Sequence, residues 1–481
     1  MMPISLAEIA RITGGRVHAT DAPEDVVVTG DVVTDSRAAQ QGSLYVARIG
    51  EQADGHAYVA GAVANGAVAA LTSRVVEDAI PHVVVDDVQA AFAAITRWVV
   101  DSHPDLLVVG ITGSSGKTST KDLLGSVLSL SGPTVAPEGS YNSEVGVPLT
   151  VCRVRPETRN LVVEMGARGI GHIRYLTEMA APRIGVVLNV GTAHVGEFGS
   201  REAIAIAKSE LVEALPPDGV AVLNGDDPNV RAMADRTPAR VVLVGESVDC
   251  GIRAEHVRID DGGRATFHLV TPAGASEVSL GLVGRHHVGN ALSVIAVALE
   301  AGLALPDVVT ALEKSRPISR WRMEVTERPD GVTVVNDAYN ANPDSMRAAV
   351  DTLARMGESR RTWAVLGSML ELGDESADDH AEVGDYVASA GIDELLVVGE
   401  IARPMVEGAD RARRSLADGG THTRHVVDAE TAGTILRAEL RSGDVVLFKS
   451  SRDAGLRWLG EEVADATPAE TGAGTDEEGV R

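Results

Sequence analysis

The sequence predicts an α/β fold in three domains, and two observations support this prediction. Its 481 residues exceed what one hydrophobic core usually serves, since domains typically hold roughly 100–200 residues. Short apolar runs also alternate with helical stretches, a pattern typical of parallel strands covered by helices on both faces. We expect a small N-terminal α/β domain at 1–103, a central domain with a mostly parallel sheet at 104–318, and a C-terminal doubly wound α/β domain at 319–465.

The N-terminal region holds four short strand patterns between alanine-rich helices. These are DVVVTGDVVTDS, GSLYVARIG, AVAALTS and HVVVDD. Before them, Ser5 is expected to cap a short helix that buries Leu6 and Ile9 and stops at Gly14. The pair His103-Pro104 then marks a domain boundary.

The central and C-terminal regions repeat the strand and helix alternation. The central runs are LLVVGIT, NLVVEMG, IGVVLNV, GVAVLNGD and RVVLVGE, and residues 251–283 alternate in a way that predicts an antiparallel addition. GNALSVIAVALEAGL reads as one buried helix. The later strands are VTVVNDAY, RTWAVLG, ELLVVG and DVVLFKSS, whereas the acidic, apolar-poor residues 466–481 are expected to be disordered.

Composition limits the classes of partner. A formal net charge of -26 argues against a general nucleic-acid or membrane-surface binder, because phosphate groups would be repelled. No apolar run reaches the roughly 18 residues that cross a bilayer. Cys152 and Cys250 have no metal-like spacing. We therefore expect a cytoplasmic protein without membrane insertion.

The stretch GITGSSGKTSTKD, from Gly110 to Asp122, follows an apolar strand and opens a helix, which is the context of a P-loop. Glycines let backbone N–H groups approach phosphates, Lys117 can reach the terminal ones, and the Thr118 hydroxyl can bind Mg²⁺. The expected nucleotide-binding residues are Gly113, Ser114, Ser115, Gly116, Lys117, Thr118 and Ser119.

Several polar residues follow other central strands, and each has two interpretations. Glu164 at a strand end could hold Mg²⁺ or cap a helix, and His194 could be a ligand or structural. Lys208 lies beside the inward stripe of a helix, although most helical lysines are solvated. NGDDPNV could be a turn or a polar edge near the nucleotide. Asn290 could read an adenine ring, but capping the helix is the safer interpretation.

The C-terminal region begins with two arginines and a polar cluster. Arg320 and Arg322 suit phosphate or carboxylate binding. After the strand VTVVN come Asp337, Tyr339, Asn340 and Asn342, which we expect to face a ligand.

These motifs together resemble the Mur ligase family over about residues 1–465. TDSRAAQQGSLYVARIGEQADGHAYVAGAVANGA is similar to the family's UDP-sugar segment. NDAYNANPDSMRAA and VLGSMLELGDESADDH are similar to the third domain of the branch that adds D-alanyl-D-alanine. The resemblance implies an ATP-dependent, Mg²⁺-requiring ligase of peptidoglycan precursor synthesis. Its substrates would be UDP-N-acetylmuramoyl-tripeptide and D-alanyl-D-alanine, joined through an acyl phosphate, and the protein would be a monomer.

The resemblance also implies residue roles. Thr118, Glu164, His194 and Lys208 as a carbamate would bind metal, while Asn290, Arg320 and Asp337 would contact ATP. The catalytic residues would be Lys117, Lys208, Arg320 and Asp337, and the substrate contacts Ser36, Arg37, Asn142, Asn340 and Asn342.

Three positions depart from the family pattern: Ser143, His287 and Ser450. Two alternatives also stay open. A sibling ligase could add another amino acid, although the UDP-like first segment argues against it. A non-catalytic P-loop switch or ATPase would not need the metal and third-domain residues together.

Overall fold

The computed structural model describes residues 1–50, 53–77, 80–191, 195–414 and 420–466. The chain forms two compact units. The first comprises Met1–Arg258, Arg264–Leu282 and His286–Ser319; the second comprises Ile259–Gly263, Val283–Arg285 and the chain from Arg320 on. The predicted tail at 466–481 lies outside the described residues except for Ala466.

The N-terminal part of the first unit is a small α/β region built on a five-stranded sheet in the order β2-β7-β6-β5-β4. Its strands β4 to β7 run parallel, and β2 pairs antiparallel with β7. The elements are β1 Ile4–Ser5, α1 Leu6–Thr13, β2 Arg16–His18, β3 Val27–Val28, β4 Val32–Val33, β5 Ser43–Val46, α2 Val59–Ala64, β6 Ala67–Thr72, β7 His82–Val84 and α3 Val88–Asp101, with 3₁₀ turns at Ser36–Ala38 and Gly55–Tyr58.

The predicted first helix is confirmed. The Ser5 hydroxyl accepts a hydrogen bond from the Glu8 N–H at 3.2 Å, and Gly14 ends α1 in the left-handed region with φ of +65°. Leu6 and Ile9 are fully buried. They join one continuous core with Phe92 of α3 and with residues of the central sheet, which explains why both parts form one unit.

The central part is built on a nine-stranded sheet in the order β16-β15-β14-β13-β12-β11-β8-β10-β9. The strands are β8 Leu107–Thr112, β9 Thr134–Val135, β10 Asn160–Glu164, β11 Ile184–Val187, β12 Val220–Asn224, β13 Arg240–Gly245, β14 Ile252–Ile259, β15 Arg264–Thr271 and β16 Gly274–Val283. The helices are α4 Lys117–Leu128, α5 Gly146–Val151, α6 His172–Ala180, α7 Val195–Phe198, α8 Arg201–Glu213, α9 Pro228–Arg231, α10 His287–Glu300 and α11 Leu305–Lys314, with a 3₁₀ turn at Ala232–Arg236.

This sheet positions the site because its adjacent central strands are parallel. In the register, Glu164 of β10 pairs with Ile111 of β8, and Val187 of β11 pairs with Thr112. The carboxyl ends of the three strands therefore meet at one edge, where open α/β sheets bind their ligands. As predicted, α10 is buried along most of its length.

The second unit has a six-stranded sheet in the order β17-β18-β22-β19-β20-β21, parallel except for the pair β17 and β18. The elements are β17 Glu324–Glu327, β18 Thr333–Asn336, α12 Pro343–Met356, β19 Thr362–Leu366, α13 Ser376–Ser389, β20 Glu394–Val398, α14 Pro404–Arg413, β21 His422–Val426, α15 Ala429–Glu439, β22 Val445–Lys449 and α16 Leu456–Asp465, with 3₁₀ turns at Gly373–Glu375, Glu400–Ala402 and Arg452–Ala454.

Helices cover both faces of this second sheet, so the predicted doubly wound fold is confirmed. Ala364 and Leu366 of β19 face the core made with α12, α13 and α14. Trp363 and Val365 alternate to the opposite face, which packs on α15 and α16. Of the helices in the described ranges, not one has the length and apolar character needed to cross a membrane.

Candidate active site

The predicted P-loop is a tight turn between β8 and α4. Gly116 enters the helix in the left-handed region with φ of +80°. A Cβ at this position would lie 2.8 Å from Asn290 Oδ1, so both the backbone and the space require glycine. Lys117 Nζ donates to the Gly113 carbonyl at 2.7 Å across the turn. The turn thus leads directly into a helix N-terminus, the usual geometry of a phosphate site.

A loop after β11 braces this turn through Asn189. The Ser115 N–H donates to Asn189 Oδ1 at 2.9 Å, and the Ser114 N–H donates to the Asn189 carbonyl at 3.1 Å. The Ser114 hydroxyl in turn accepts from the Gly191 N–H at 2.9 Å. Asn189 was not predicted from the sequence, although it follows a predicted strand as Glu164 does. His194, further along this loop, lies outside the described residues.

The stretch NGDDPNV supports the same loop. Asp227 caps α9, as expected of a turn, because its Oδ1 accepts from the N–H groups of Asn229 and Val230. Its other oxygen accepts from the Val190 N–H at 2.7 Å. The turn interpretation is confirmed, and the same carboxylate holds the loop that braces the P-loop. The interpretation as a polar edge near the nucleotide stays a prediction.

Glu164 lies buried at the end of β10 with both oxygens engaged. Oε2 accepts from the Thr118 hydroxyl at 3.0 Å, and Oε1 accepts from Asn142 Nδ2 at 2.7 Å. The Asn142 carbonyl also accepts from the Gly166 N–H at 2.9 Å, which fixes Asn142 beside the strand end. The structure thus brings together two predicted metal ligands. It places Asn142 against Glu164, and the predicted contact of Asn142 with substrate stays a prediction.

Lys208 is buried in α8, unlike most helical lysines. The stripe of Ile204, Ala207 and Leu211 is fully buried as predicted, and Lys208 lies beside it. Burial lowers the pKa of Lys208 well below its usual range, and the positive charge of Lys117 lowers it further. The lowered pKa makes the unprotonated amine of Lys208 easier to form than that of an exposed lysine.

Glu210 lies two residues beyond Lys208 and was not among the site residues predicted from the sequence. Its buried carboxylate accepts from the N–H of Gly171 at 2.5 Å and of Arg174 at 3.0 Å, at the start of α6. Glu210 thereby ties the helix of Lys208 to the segment that follows Glu164.

Asn290 lies directly against the P-loop, as its distance to Gly116 shows. The capping interpretation is wrong, because α10 begins at His287 with His286 as the N-cap residue and Asn290 lies within the first turns. Its Nδ2 lies 3.4 Å from His287 Nδ1. Burial, with a smaller effect of His286, lowers the pKa of His287 well below its usual range, so this ring is neutral.

The three departures from the family pattern have structural roles. The Ser143 hydroxyl accepts from the N–H groups of Val145 and Gly146, each at 3.4 Å, where α5 begins. His287 and Ser450 are buried, and the Ser450 hydroxyl donates to the Ser451 carbonyl at 3.0 Å.

Ser36 and Arg37 begin the 3₁₀ turn that follows β4 after two residues. Arg37 is 88% exposed and pairs with Asp35, which lowers the pKa of Asp35 to about 2. The Ser36 carbonyl accepts from Asn65 Nδ2 at 2.9 Å. The Arg37 side chain lies at the surface of the N-terminal region, and Ser36 is half-buried.

In the second unit, Asp337 follows β18 and is held from two sides. It accepts from Lys449 Nζ at 2.6 Å and from the Met323 N–H at 3.0 Å. Lys449 Nζ also donates to the Asn340 carbonyl at 3.0 Å, a link that was not predicted from the sequence.

Two further predicted residues of this unit already have partners. The Asn342 side chain caps α12 by accepting from the Ser345 N–H at 2.8 Å. Arg320 forms an ion pair with Glu461. The predicted ligand contacts of Asn342 and Arg320 stay predictions.

Three protein-family models match successive parts of the chain. They are the Mur ligase family catalytic domain at 31–102, the Mur ligase middle domain at 111–298, and the Mur ligase glutamate ligase domain at 321–452. The chain belongs to the Mur ligase family. It is therefore an ATP-dependent amide ligase, and the resemblance inferred from its motifs is confirmed.

Relatives of this Mur ligase match over nearly their full length. A Mycobacterium tuberculosis protein named "UDP-N-acetylmuramoyl-tripeptide--D-alanyl-D-alanine ligase" is 44% identical, covering 99% of each chain. A crystal structure of MurF from Acinetobacter baumannii has a TM-score of 0.87 and 31% identity, covering 96% of this chain and 99% of that one. MurF from Thermotoga maritima in complex with ADP has a TM-score of 0.78 and 27% identity, covering 91% and 99%.

Proposed function

We propose that this Mur ligase joins D-alanyl-D-alanine to UDP-N-acetylmuramoyl-tripeptide, with ATP converted to ADP and phosphate. The observation that carries the proposal is 44% identity, along essentially the whole chain, to a relative named for this activity. The enzyme would act as a monomer in the cytoplasm, without nucleic acid as a ligand. Its domains would be those predicted at 1–103, 104–318 and 319–465.

The P-loop and the residues around it suit ATP with Mg²⁺. The Thr118 hydroxyl and the Glu164 carboxylate lie 3.0 Å apart, and both offer the hard oxygen ligands that Mg²⁺ prefers. Within the described ranges, no cluster of three or more His, Cys, Asp or Glu side chains could hold a metal alone. Mg²⁺ commonly takes one or two carboxylates and completes its shell with water and phosphate, so Glu164 beside Thr118 suits it.

Bound Mg²⁺ would neutralise phosphate charge; the chain's own residues supply the rest of the site. Lys117 would exchange its bond to the Gly113 carbonyl for one to a phosphate oxygen. The burial of Lys208 supports the proposed carbamate, because a lowered pKa favours the unprotonated amine, which can add to CO₂ and release a proton. The product is an anion suited to bind metal, and the bound metal would offset the cost of burying its charge.

The reaction class follows from the chemistry of carboxylates. A peptide carboxylate does not acylate an amine in water, because oxide is a poor leaving group. A carboxylate oxygen would attack the terminal phosphorus of ATP and release ADP. The amine of the dipeptide would then attack the carbonyl carbon of the acyl phosphate, releasing phosphate and a proton. Cationic groups stabilise charge on the transferring phosphoryl group.

Predicted contacts outside the P-loop complete the proposal. Ser36 and Arg37 would contact the UDP part, and the exposed Arg37 side chain is accessible to a ligand. Asn142, Asn340 and Asn342 would contact substrate, whereas Asn290, Arg320 and Asp337 would contact ATP. His194 would be a further metal ligand.

The test is a matrix of UDP-peptides against D-alanyl-D-alanine and single amino acids, read by product mass and by phosphate release. We expect UDP-pentapeptide from the tripeptide and dipeptide pair only, and phosphate release that requires both. Lys117→Ala should abolish product, while Lys314→Ala, at an exposed lysine of the same unit, should not. Phosphate release without either acceptor would instead indicate an ATPase or switch.

A further inference from the structure

The segment Arg320–Met323, which opens the main part of the second unit, has a strained backbone. Trp321 and Met323 lie in the left-handed region, with φ of 59° and 50°. Such a conformation is unfavourable for a residue other than glycine, so surrounding contacts must hold it. The segment also carries Arg320, which makes its support relevant to the reaction.

Three carboxylates hold this segment by accepting hydrogen bonds. Glu324 Oε2 accepts from the Trp321 N–H at 3.0 Å, and Asp337 Oδ1 accepts from the Met323 N–H at 3.0 Å. Glu461 Oε1 accepts from Trp321 Nε1 at 2.7 Å. Glu461 is distant in sequence, on α16, and the same oxygen pairs with the guanidinium of Arg320.

Aromatic packing gives the arginine a second support. The Trp321 ring stacks on Tyr339 with centroids 6.2 Å apart and meets Trp458 edge-on at 5.2 Å. The Arg320 guanidinium lies 5.2 Å from the centre of the Trp321 ring. The Trp321 ring and the Glu461 carboxylate therefore both contact the Arg320 guanidinium, yet the Arg320 side chain is 61% exposed. A guanidinium has five N–H donors, so it can keep Glu461 on one edge and receive another anion on the other.

We infer that Glu461 is a positioning residue for Arg320, holding its guanidinium and the strained turn in the orientation that receives a phosphate group. This inference rests on the proposed function, in which Arg320 contacts ATP. The loss of one carboxylate would release both the indole and the guanidinium, so the arginine would have to be ordered again at each turnover.

The test compares Glu461→Gln, Glu461→Ala and the control Glu462→Gln in steady-state kinetics. Gln keeps an oxygen that accepts from the Trp321 indole but removes the charge that pairs with Arg320, whereas Ala removes both. Glu462 is adjacent on α16, is exposed and pairs with Arg437 instead. We expect kcat/KM for ATP to fall roughly tenfold in Glu461→Gln and up to a hundredfold in Glu461→Ala. The KM values for the UDP-tripeptide and the dipeptide should change less than about twofold, and Glu462→Gln should match wild type.

The NMR signals of the tryptophan indole N–H groups give a readout that is independent of the kinetics. The chain has four tryptophans, and Trp321→Phe assigns the Trp321 signal. That signal should move strongly in Glu461→Ala and little in Glu462→Gln. Wild-type kcat/KM for ATP in Glu461→Ala, or an equal rise of all three KM values, would overturn the inference. If wild type itself forms no pentapeptide, the proposed function fails instead, which separates the two outcomes.

Discussion

Replacing Gly116 by alanine adds one methyl group where the P-loop turn enters α4. The left-handed backbone, with φ of +80°, costs an L-residue roughly 1–2 kcal/mol. The new Cβ would also lie 2.8 Å from Asn290 Oδ1, well inside van der Waals contact. Because Asn290 is buried, it cannot turn into solvent, and overpacking of this kind typically costs about 1–3 kcal/mol. The two costs together amount to about 2–5 kcal/mol.

Gly302→Ala is the matched control, since Gly302 also has φ of +80° but no atom lies within 4 Å of the place that its Cβ would take. Thermal unfolding should show a decrease of about 2–4 °C per kcal/mol, larger for Gly116→Ala than for the control. In a coupled assay of ADP release, only Gly116→Ala should raise the KM for ATP, by at least roughly tenfold. Equal melting temperatures and equal KM values in the two variants would refute the assigned contact between the P-loop and Asn290.

Three other predictions concern buried charged or ionisable groups. Lys208→Ala should lose product formation and regain part of it with added short carboxylic acids; unchanged activity without them would exclude a carbamate. Asp122→Asn removes the negative charge 2.5 Å from the buried Lys121 Nζ and should lower the free energy of unfolding by roughly 3–5 kcal/mol. An unchanged melting temperature would contradict this. Burial raises the pKa of Cys152 to about 12, so the folded thiol keeps its proton at a pH where the unfolded thiol ionises. The contribution of this protonated thiol to stability is complete below the unfolded pKa of about 8.5 and is lost as pH rises toward 12. In unfolding experiments at alkaline pH, the free energy of unfolding should therefore fall more steeply with pH in wild type than in Cys152→Ala. Equal slopes for the two proteins would argue against the raised pKa.

The features that could be predicted from the sequence are those set by local chemistry. The cap at Ser5 and the stop at Gly14 need only a few neighbouring residues, and both are confirmed. The P-loop likewise depends on a strand, a glycine-rich turn and a helix in immediate succession. Glu164 could be placed at the correct edge because the carboxyl ends of parallel strands lie together.

The rest depends on contacts between residues far apart in sequence. The contact of Asn189 with the P-loop spans 74 residues, and that of Glu461 with Trp321 spans 140, so no local pattern indicates either one. The burial of Lys208 could not be predicted either, because the sequence of its helix is typical of one that is partly exposed to solvent. The position of Asn290 near the start of a helix favoured capping as its role. In the structure, α10 packs on the P-loop, so that Asn290 lies against Gly116 instead.

The central claim, that the peptide carboxylate is phosphorylated before the amide forms, has a direct isotopic test. UDP-tripeptide labelled with ¹⁸O in its reacting carboxylate is turned over with ATP and D-alanyl-D-alanine, and the inorganic phosphate is analysed by mass spectrometry. Because the bridging oxygen of an acyl phosphate leaves with phosphorus, we predict that one ¹⁸O atom is transferred from the labelled carboxylate to each phosphate released. Pentapeptide formed together with unlabelled phosphate would contradict this mechanism.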